Sequence, residues 1–523
     1  MRFLGGLAVG LAVWWVGLAG ICHATDYYVA PTGSSDLNDG SIGSPFATFG
    51  KAIGLANAGD TIFARGGTYN LNSRLRIQKG GAVNNPINLF AYPGETPTLD
   101  FASNPTALGS SSSRGIQFDA VADWWHVKGL TIQSAKDNGL YSEGDNGVFE
   151  QVVVRRNADS GLQLDGSGSN NLVLNCDSYE NYDPHNHGEN ADGFAAKFEN
   201  LGPGNIIRGS RAWGNSDDGW DMWNSDNGVL VENSWSFSNG INTWGDSSFQ
   251  GDGNGYKLGH DGGPHVLVNL LAWGNAANGI DVNGNGYLYD ANGNPTVPNG
   301  SHVEVYNSTS FNNNGANWRF DENIVHILRN NVSLKTIGGS VDVIYAPVDD
   351  TFNTWNGIPV DSADFLSLID TIARGPRNPA DGSLPVTDFL KLASGSNPID
   401  AGTPISFVFN GVTYNLPYNG MAPDLGAFET GVPAPALPGD YNGDNIVDAI
   451  DYTVWRDNLD ASVALPNDET PGTVDAGDYD VWKAHFGESL AGSGGQSANV
   501  VPEPAALFLI LAAAAVGLLA RRR

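Results

Sequence analysis

Four aspartates and one lysine are the strongest candidates for a chemical role in this sequence. The aspartates lie in the segment 190–223, NADGFAAKFENLGPGNIIRGSRAWGNSDDGWDMW, and are Asp192, Asp217, Asp218 and Asp221. Its motif DGWDM recurs as NGYKL, which puts Lys257 in the slot of Asp221. Four close carboxylates repel one another unless a cation binds them, and Ca²⁺ takes about six to eight oxygen ligands. These residues therefore indicate calcium-assisted proton abstraction, with Lys257 as the base.

Both motifs belong to a repeat that extends from about residue 115 to residue 334. Its copies read NGLYS, SGLQL, DGFAA, DGWDM, NGYKL and NGIDV, and their glycines are Gly139, Gly161, Gly193, Gly219, Gly255 and Gly279. Alternating runs such as NLVLNC and HVLVNLLAW separate the copies and indicate strands with one buried face. Such a unit buries its apolar face only against its neighbours, so the sequence predicts an all-β fold, a right-handed parallel β-helix. A β-propeller is the alternative, but its blades are longer and more regular.

Aligning the copies predicts which of these side chains are neighbours. Asp192 and Asp218 share the slot before the glycine, and Asp217 adjoins Asp218. Asp221, Lys257 and then Asp281 follow in the outward slot. Candidate sugar contacts nearby are Arg208, Arg211, Trp223, His260 and Asp281, whereas Trp220 and Tyr256 are expected to stack inward. A single Asp before Gly is otherwise typical of a turn, and an isolated lysine at this slot would pair with Asp221 or Asp281.

Asparagines recur at the turns that end the strand groups. They are Asn157, Asn181, Asn215, Asn239, Asn275 and Asn312. Asn tolerates left-handed turn geometry, and its amide can bond the copies above and below. We therefore expect a stacked, structural asparagine ladder.

The N-terminal residues 1–24 have the features of a secretory signal peptide. A basic start at Arg2 is followed by an apolar run and a small-residue exit at Ala24. Removal of Cys22 with this segment leaves Cys176, which we interpret as a buried strand residue. The formal net charge of −31 disfavours nucleic acid as a partner.

A second calcium site is predicted beyond the Pro-rich linker 431–439. The region 440–487 begins with DYNGDNIVDAIDYTVW, which spaces ligands as an EF-hand-like loop does. The ligands are Asp440, Asn442, Asp444, Ile446 (through its carbonyl), Asp448 and Asp451. A second copy of the loop motif keeps only part of this ligand pattern. The pair resembles a dockerin type I module, a small α-helical EF-hand-like domain, and the resemblance implies a cohesin-like partner.

The C-terminal segment 501–523 follows a second linker, 488–500. It contains VPEP, sixteen apolar residues and three arginines. This order resembles the PEP-CTERM sorting tail of Gram-negative bacteria, which implies a secreted or cell-surface protein that contacts the membrane only through this tail. A plain C-terminal anchor is the alternative.

Residues 25–430 resemble polysaccharide lyase family 9, the β-helical pectate lyases. The likeness lies in the segment 190–223, in GNGYKLG, in the opening YYVAPTG and in the late APDLGAFE. It implies that the four aspartates named first are calcium ligands and that Lys257 is the catalytic base. The implied reaction is β-elimination on 4-linked polygalacturonate, the backbone of pectin.

Three alternatives remain open from the sequence. One is a lyase of alginate or another uronate polymer. A glycoside hydrolase on the same fold would use paired carboxylates as acid and base, and would leave Lys257 without a role. A non-catalytic surface adhesin would use calcium only to stiffen its rungs.

Overall fold

The computed structural model describes most of the chain. The described residues are 24–259, 263–284, 288–289, 295–296, 302–321, 325–345, 348–431, 437–442, 446–459, 461, 463, 465–468 and 473–488. They form two compact units. Unit one extends to Asn205 and includes Ser210–Asp217 and Asn242–Gly251, and unit two contains Ile206–Gly209, Asp218–Ile241 and the chain from Asp252. The strand Asn205–Arg208 is divided between them.

Unit one is built from three parallel sheets of short strands. The first contains Asp26–Val29, Thr61–Ala64, Ile87–Ala91, Trp125–Lys128, Val148–Glu150 and Leu172–Leu174. The second contains Leu75–Ile77, Ile116–Phe118, Leu140–Ser142, Leu162–Leu164 and Phe194–Ala196. The third contains Gly67–Asn70, Pro97–Asp100, Thr131–Gln133, Val153–Arg155, Asp177–Tyr179 and Arg211–Trp213. One α-helix, Phe49–Leu55, and a 3₁₀ turn, Ser111–Ser113, accompany them.

Unit two repeats the same three-sheet pattern. Its first sheet contains Val229–Glu232, Val266–Val268, Glu304–Tyr306, Ile327–Arg329 and Asp349–Thr351. The second contains Trp220–Asp221, Tyr256–Lys257, Ile280–Asp281, Trp318–Phe320 and Val343–Ile344. The third contains Trp235–Phe237, Leu271–Trp273, Thr309–Phe311 and Val332–Leu334. Two antiparallel pairs, Leu288–Tyr289 with Pro295–Thr296 and Ser406–Phe409 with Val412–Asn415, and the 3₁₀ turns Thr354–Asn356 and Ser362–Asp364 complete it.

In both units, strands from successive coils pair in parallel with their side chains in register. Leu140 pairs with Leu162, and Tyr141 pairs with Gln163. In unit two, Trp220 pairs with Tyr256, and their fully buried rings stack with centroids 4.7 Å apart. This confirms the predicted inward stacking of these two aromatic residues. The polar residue that follows each of them is thereby placed on the outward face of the sheet.

The asparagine ladder forms within each unit. In unit one, the Asn157 amide donates to Asn181 Oδ1 at 3.1 Å, and the Asn181 amide donates to Asn215 Oδ1 at 2.8 Å. In unit two, Asn239 donates to Asn275 at 3.0 Å. The Asn275 amide in turn donates to Asn313 Oδ1 at 2.9 Å. The prediction of Asn312 was wrong by one residue, because Asn312 adopts the left-handed turn conformation, with φ of 49°, and Asn313 turns inward.

Two α-helices, Ala449–Asp457 and Ala476–His485, lie near the C-terminal end of the described chain. Each starts with an aspartate cap, Asp448 or Asp475, whose side chain accepts a backbone hydrogen bond. Trp482 of the second helix is buried, and its indole N–H donates to the carbonyl of Asp448, the cap of the first helix, at 2.8 Å. Within the described residues, no helix has the length and apolar composition needed to cross a membrane.

Candidate active site

Lys257 lies on the outward face of a central strand of unit two. Its flanking residue Tyr256 is buried in the core, which orients the lysine side chain away from it. The side chain of Lys257 is only 11% exposed. Its Nζ lies 2.9 Å from Asp252 Oδ2 and 3.2 Å from Asp218 Oδ2. A lysine so enclosed by carboxylates differs from a solvated surface lysine and is a candidate functional group.

Asp218 uses its two carboxylate oxygens differently. Oδ1 accepts the backbone N–H of Asn254 at 2.6 Å and its side-chain amide at 3.0 Å. Asn254 Oδ1 in turn accepts the backbone and side-chain N–H groups of Asn278, each at 3.2 Å. Asp218 thus begins a hydrogen-bonded column of side chains, while its Oδ2 faces Lys257. The column fixes the orientation of a completely buried carboxylate.

Asp221 and Asp281 flank Lys257 on the neighbouring strands. Asp221 is the register partner of Lys257 on the preceding strand, and Asp281 is its register partner on the following strand. Both carboxylates are nearly buried, and Asp221 Oδ1 accepts the Trp223 N–H at 2.9 Å. Asp281 accepts from Asn278 and Asn283, and burial raises its carboxyl pKa above the ordinary value. The predicted order Asp221, Lys257, Asp281 in the outward slot agrees with this strand register.

Asp192 and Asp217 lie together in unit one. Asp192 is fully buried, and its Oδ2 accepts from Ser160 Oγ at 2.9 Å and from Lys197 Nζ at 3.0 Å. Asp217 Oδ2 accepts the backbone N–H of Asn190 at 2.9 Å. One carboxylate oxygen of Asp192 lies within 4.8 Å of one on Asp217. Asp218, the next residue along the chain, belongs to unit two.

This donor set fits a hard divalent cation. Carboxylate oxygens are the ligands that Ca²⁺ prefers, and buried like charges at this separation are costly without a compensating cation. Lys197 and Lys257 supply part of that compensation through their contacts with Asp192 and Asp218. Asp192 and Asp217 in unit one, and Asp218 and Asp221 in unit two, each offer carboxylate oxygens of the kind that Ca²⁺ binds.

The predicted sugar contacts occupy several different environments. Arg211 is in the third sheet of unit one, where its guanidinium forms a buried, two-pronged pair with Asp177 at 2.9 and 2.8 Å. Arg208, in the first sheet, is paired with Glu232. Both arginines therefore lie on other sheets than the one that carries Lys257. Trp223 is half-buried beside Asp221, whereas His260 lies outside the described residues.

Two charged residues of this environment were not singled out from the sequence. Asp252 contacts Lys257, and Lys197 contacts Asp192. In each pair the two residues are five positions apart, a spacing that the period-2 strand pattern does not address. Asn254, the first residue of the NGYKL motif, is the residue that orients Asp218.

The predicted C-terminal calcium loop is described in part. Asp440 and Asp451 are fully buried, and Asp451 accepts the backbone N–H groups of Asn442 at 3.0 Å and Asp448 at 2.8 Å. Ile446 adjoins the buried Val447. Asp444 lies outside the described residues.

Comparison with known proteins finds relatives of the region that contains the parallel sheets. A family profile described as "Pel9A-like, right handed beta helix region" matches residues 27–331. Pectate lyase L of Dickeya chrysanthemi is 40% identical over 424 residues, covering 79% of this chain and 92% of that protein. The crystal structure of pectate lyase Pel9A is similar with a TM-score of 0.67 and 37% identity, covering 79% of this chain and 98% of that one. A rhamnogalacturonan lyase structure has a TM-score of 0.61 and 27% identity, covering 71% and 97%.

Proposed function

Because the chain belongs to the Pel9A-like family of polysaccharide lyases, which fold as a right-handed parallel β-helix, we propose that it cleaves 4-linked polygalacturonate by β-elimination. The observation that carries this proposal is the position of Lys257. The Lys257 side chain is nearly buried, and its Nζ lies 3.2 Å from Oδ2 of Asp218, one of the four aspartates that we propose as calcium ligands. A hydrolase mechanism gives such a lysine no task, and an adhesin would not need it.

In the proposed reaction, Asp192, Asp217, Asp218 and Asp221 would hold a calcium ion. When bound, the ion neutralises and polarises the C6 carboxylate of the uronate and so acidifies the proton on C5. The neutral amine of Lys257 takes that proton. The electron pair of the C5–H bond forms a C4–C5 double bond, and the C4–O bond breaks with its electrons left on the leaving oxygen. Calcium also reduces the repulsion between an acidic polymer and a protein with a net charge of −31.

The product separates this proposal from its alternatives. The purified protein is incubated with polygalacturonate, with and without excess chelator, and ultraviolet absorbance is followed. We expect an absorbing unsaturated product that disappears with chelator and returns with added Ca²⁺. New reducing ends without absorbance would indicate a hydrolase, and no cleavage would leave the adhesin. Alginate and rhamnogalacturonan in parallel assays test the other lyase substrates.

We also propose a route to the outside of a Gram-negative cell. The signal peptide 1–24 directs export, and the segment 501–523 acts as a PEP-CTERM sorting tail, the only part that contacts the membrane. Mass spectrometry of the exported protein tests both, because processing removes the N-terminal residues through Ala24 and truncates the chain near the VPEP motif. Deletion of 501–523 should release the enzyme into the medium.

For the region 440–487, we propose a dockerin-like module that binds a second calcium ion. Asp440 and Asp451, both fully buried, support this assignment together with the regular ligand spacing of the loop. A cohesin-like protein is the proposed partner. Calorimetric titration with Ca²⁺ should show one site fewer in an Asp440→Ala variant, with lyase activity unchanged. Retention of all sites would contradict the assignment.

A further inference from the structure

The amine of Lys257 lies between two carboxylates that differ in exposure. The side chain of Asp218 is completely buried, whereas that of Asp252 is 53% exposed. The hydrogen bond between Lys257 Nζ and Asp252 Oδ2 is 2.9 Å long. Nζ is 3.2 Å from Asp218 Oδ2. The shorter contact is thus the one made with the residue nearer to solvent.

The backbone holds Asp252 in place. Its neighbour Gly253 has a φ of +82°, a conformation that favours glycine. A Cβ on Gly253 would lie 2.8 Å from the Gly240 Cα and 3.0 Å from the Ala276 Cβ, so the turn packs closely against the adjacent coils. The Gly253 carbonyl also accepts the Ala277 N–H at 2.8 Å. Asp252 is therefore presented to Lys257 by a tightly packed turn.

We propose that Asp252 is a positioning residue, whose carboxylate holds the Lys257 amine at the solvent-facing side of the site. The proposal rests on the role of Lys257 as the base. Asp218 is also proposed to bind calcium and is oriented by Asn254, whereas Asp252 is outside the calcium ligand set. The hydrogen bond from Nζ to Asp252 keeps the flexible lysine side chain in one orientation.

Loss of this contact should affect turnover more than folding. A half-exposed ion pair contributes little to stability, so the variants should fold normally. By contrast, a small displacement of a reacting group has a large effect on the rate, and an interaction that serves only the chemical step alters kcat rather than KM.

The test compares three variants with polygalacturonate and saturating Ca²⁺, at a pH where the activity of each has reached its plateau. Asp252→Ala removes the acceptor, and we expect kcat to fall about 10-fold or more with KM within about twofold. Asp252→Asn retains an oxygen that can accept from Nζ, so it should recover most of kcat. The exposed Asp388→Ala serves as a matched control. Circular dichroism and calcium titration confirm that fold and metal affinity are unchanged.

Unchanged kcat in Asp252→Ala would overturn the proposal. An Asp252→Asn variant as slow as Asp252→Ala would also overturn it, because charge rather than hydrogen bonding would then be responsible. A parallel measurement of Lys257→Ala separates failure of the positioning role of Asp252 from failure of the proposed function. If Lys257→Ala is inactive and Asp252→Ala is fully active, only the positioning role fails, but if Lys257→Ala remains active, the proposed function itself fails.

Discussion

Asp218 and Asn254 are joined by two hydrogen bonds, 2.6 and 3.0 Å long, that end on a single carboxylate oxygen. An aspartate thereby occupies a position in a column that Asn254 and Asn278 continue. The Oδ1 atom accepts hydrogen bonds in this column as an asparagine oxygen would. The Oδ2 atom of the same carboxylate forms the ion pair with Lys257. Structure and chemistry are thus divided between the two oxygens of one side chain.

This division predicts different outcomes for two substitutions of Asp218. Asp218→Asn keeps an oxygen for the Asn254 donors, so stability should change little, but calcium affinity and activity should fall strongly. Asp218→Ala leaves buried donors of Asn254 without an acceptor, and should also destabilise the fold by about 1–3 kcal/mol. Urea unfolding together with calcium titration measures both quantities. Equal stability of the two variants would contradict the role assigned to Oδ1.

The asparagine ladder provides a second prediction. Asn275 is buried and bonded to both Asn239 and Asn313, so Asn275→Ala should lower the free energy of unfolding by about 1–3 kcal/mol. The exposed Asn314→Ala should change it by less than about 0.5 kcal/mol. Chemical denaturation compares the two. A comparable loss at both positions would show that the ladder adds no particular stability.

The sequence predicted the coil and the residues of its outward slot because the repeat has a simple period. In-register parallel pairing turns a shared slot in NGYKL and NGIDV into the direct neighbours Lys257 and Asp281. The repeat pattern could not predict the contact between Asp252 and Lys257, because contacts across a turn depend on φ angles such as that of Gly253. The ladder was misplaced by one residue at Asn312 for the same reason: adjacent asparagines look alike until the turn geometry is known.

Arg211 is close in sequence to Asp217 and Asp218, but this closeness did not indicate its environment in the fold. Its buried ion pair gives a third prediction. It was a candidate sugar contact, but its guanidinium is buried against Asp177 in another sheet. Arg211→Ala should therefore destabilise the protein by about 3–5 kcal/mol, because it leaves the buried Asp177 charge without its partner. The exposed pair of Arg156 with Glu180 is the control, and Arg156→Ala should cost about 0–1 kcal/mol. A raised KM in a stable Arg211→Ala variant would instead support sugar binding.

The buried carboxyl of Glu429 gives the stability a pH dependence. Burial, together with Asp424 and Asp400, raises its pKa from 4.5 to about 7. Between pH 4.5 and 7 the folded protein retains a proton that the unfolded chain releases, so this group's contribution to stability declines as the pH rises through that window. Glu429→Gln should flatten this part of the profile. Urea unfolding midpoints at pH 5 and pH 8 measure it, and an identical slope in both proteins would contradict the assignment.

The role of Lys257 as the base is tested most directly by the turnover of polygalacturonate by Lys257 variants in the presence of Ca²⁺, followed by ultraviolet absorbance. Lys257→Ala removes the base, and Lys257→Arg retains a positive charge that does not give up its proton. With Lys51→Ala, an exposed lysine in the helix Phe49–Leu55, as control, we predict that both Lys257 variants fold and bind calcium but lose at least about 100-fold in kcat. Wild-type turnover by either Lys257 variant would contradict the role of Lys257 as the catalytic base.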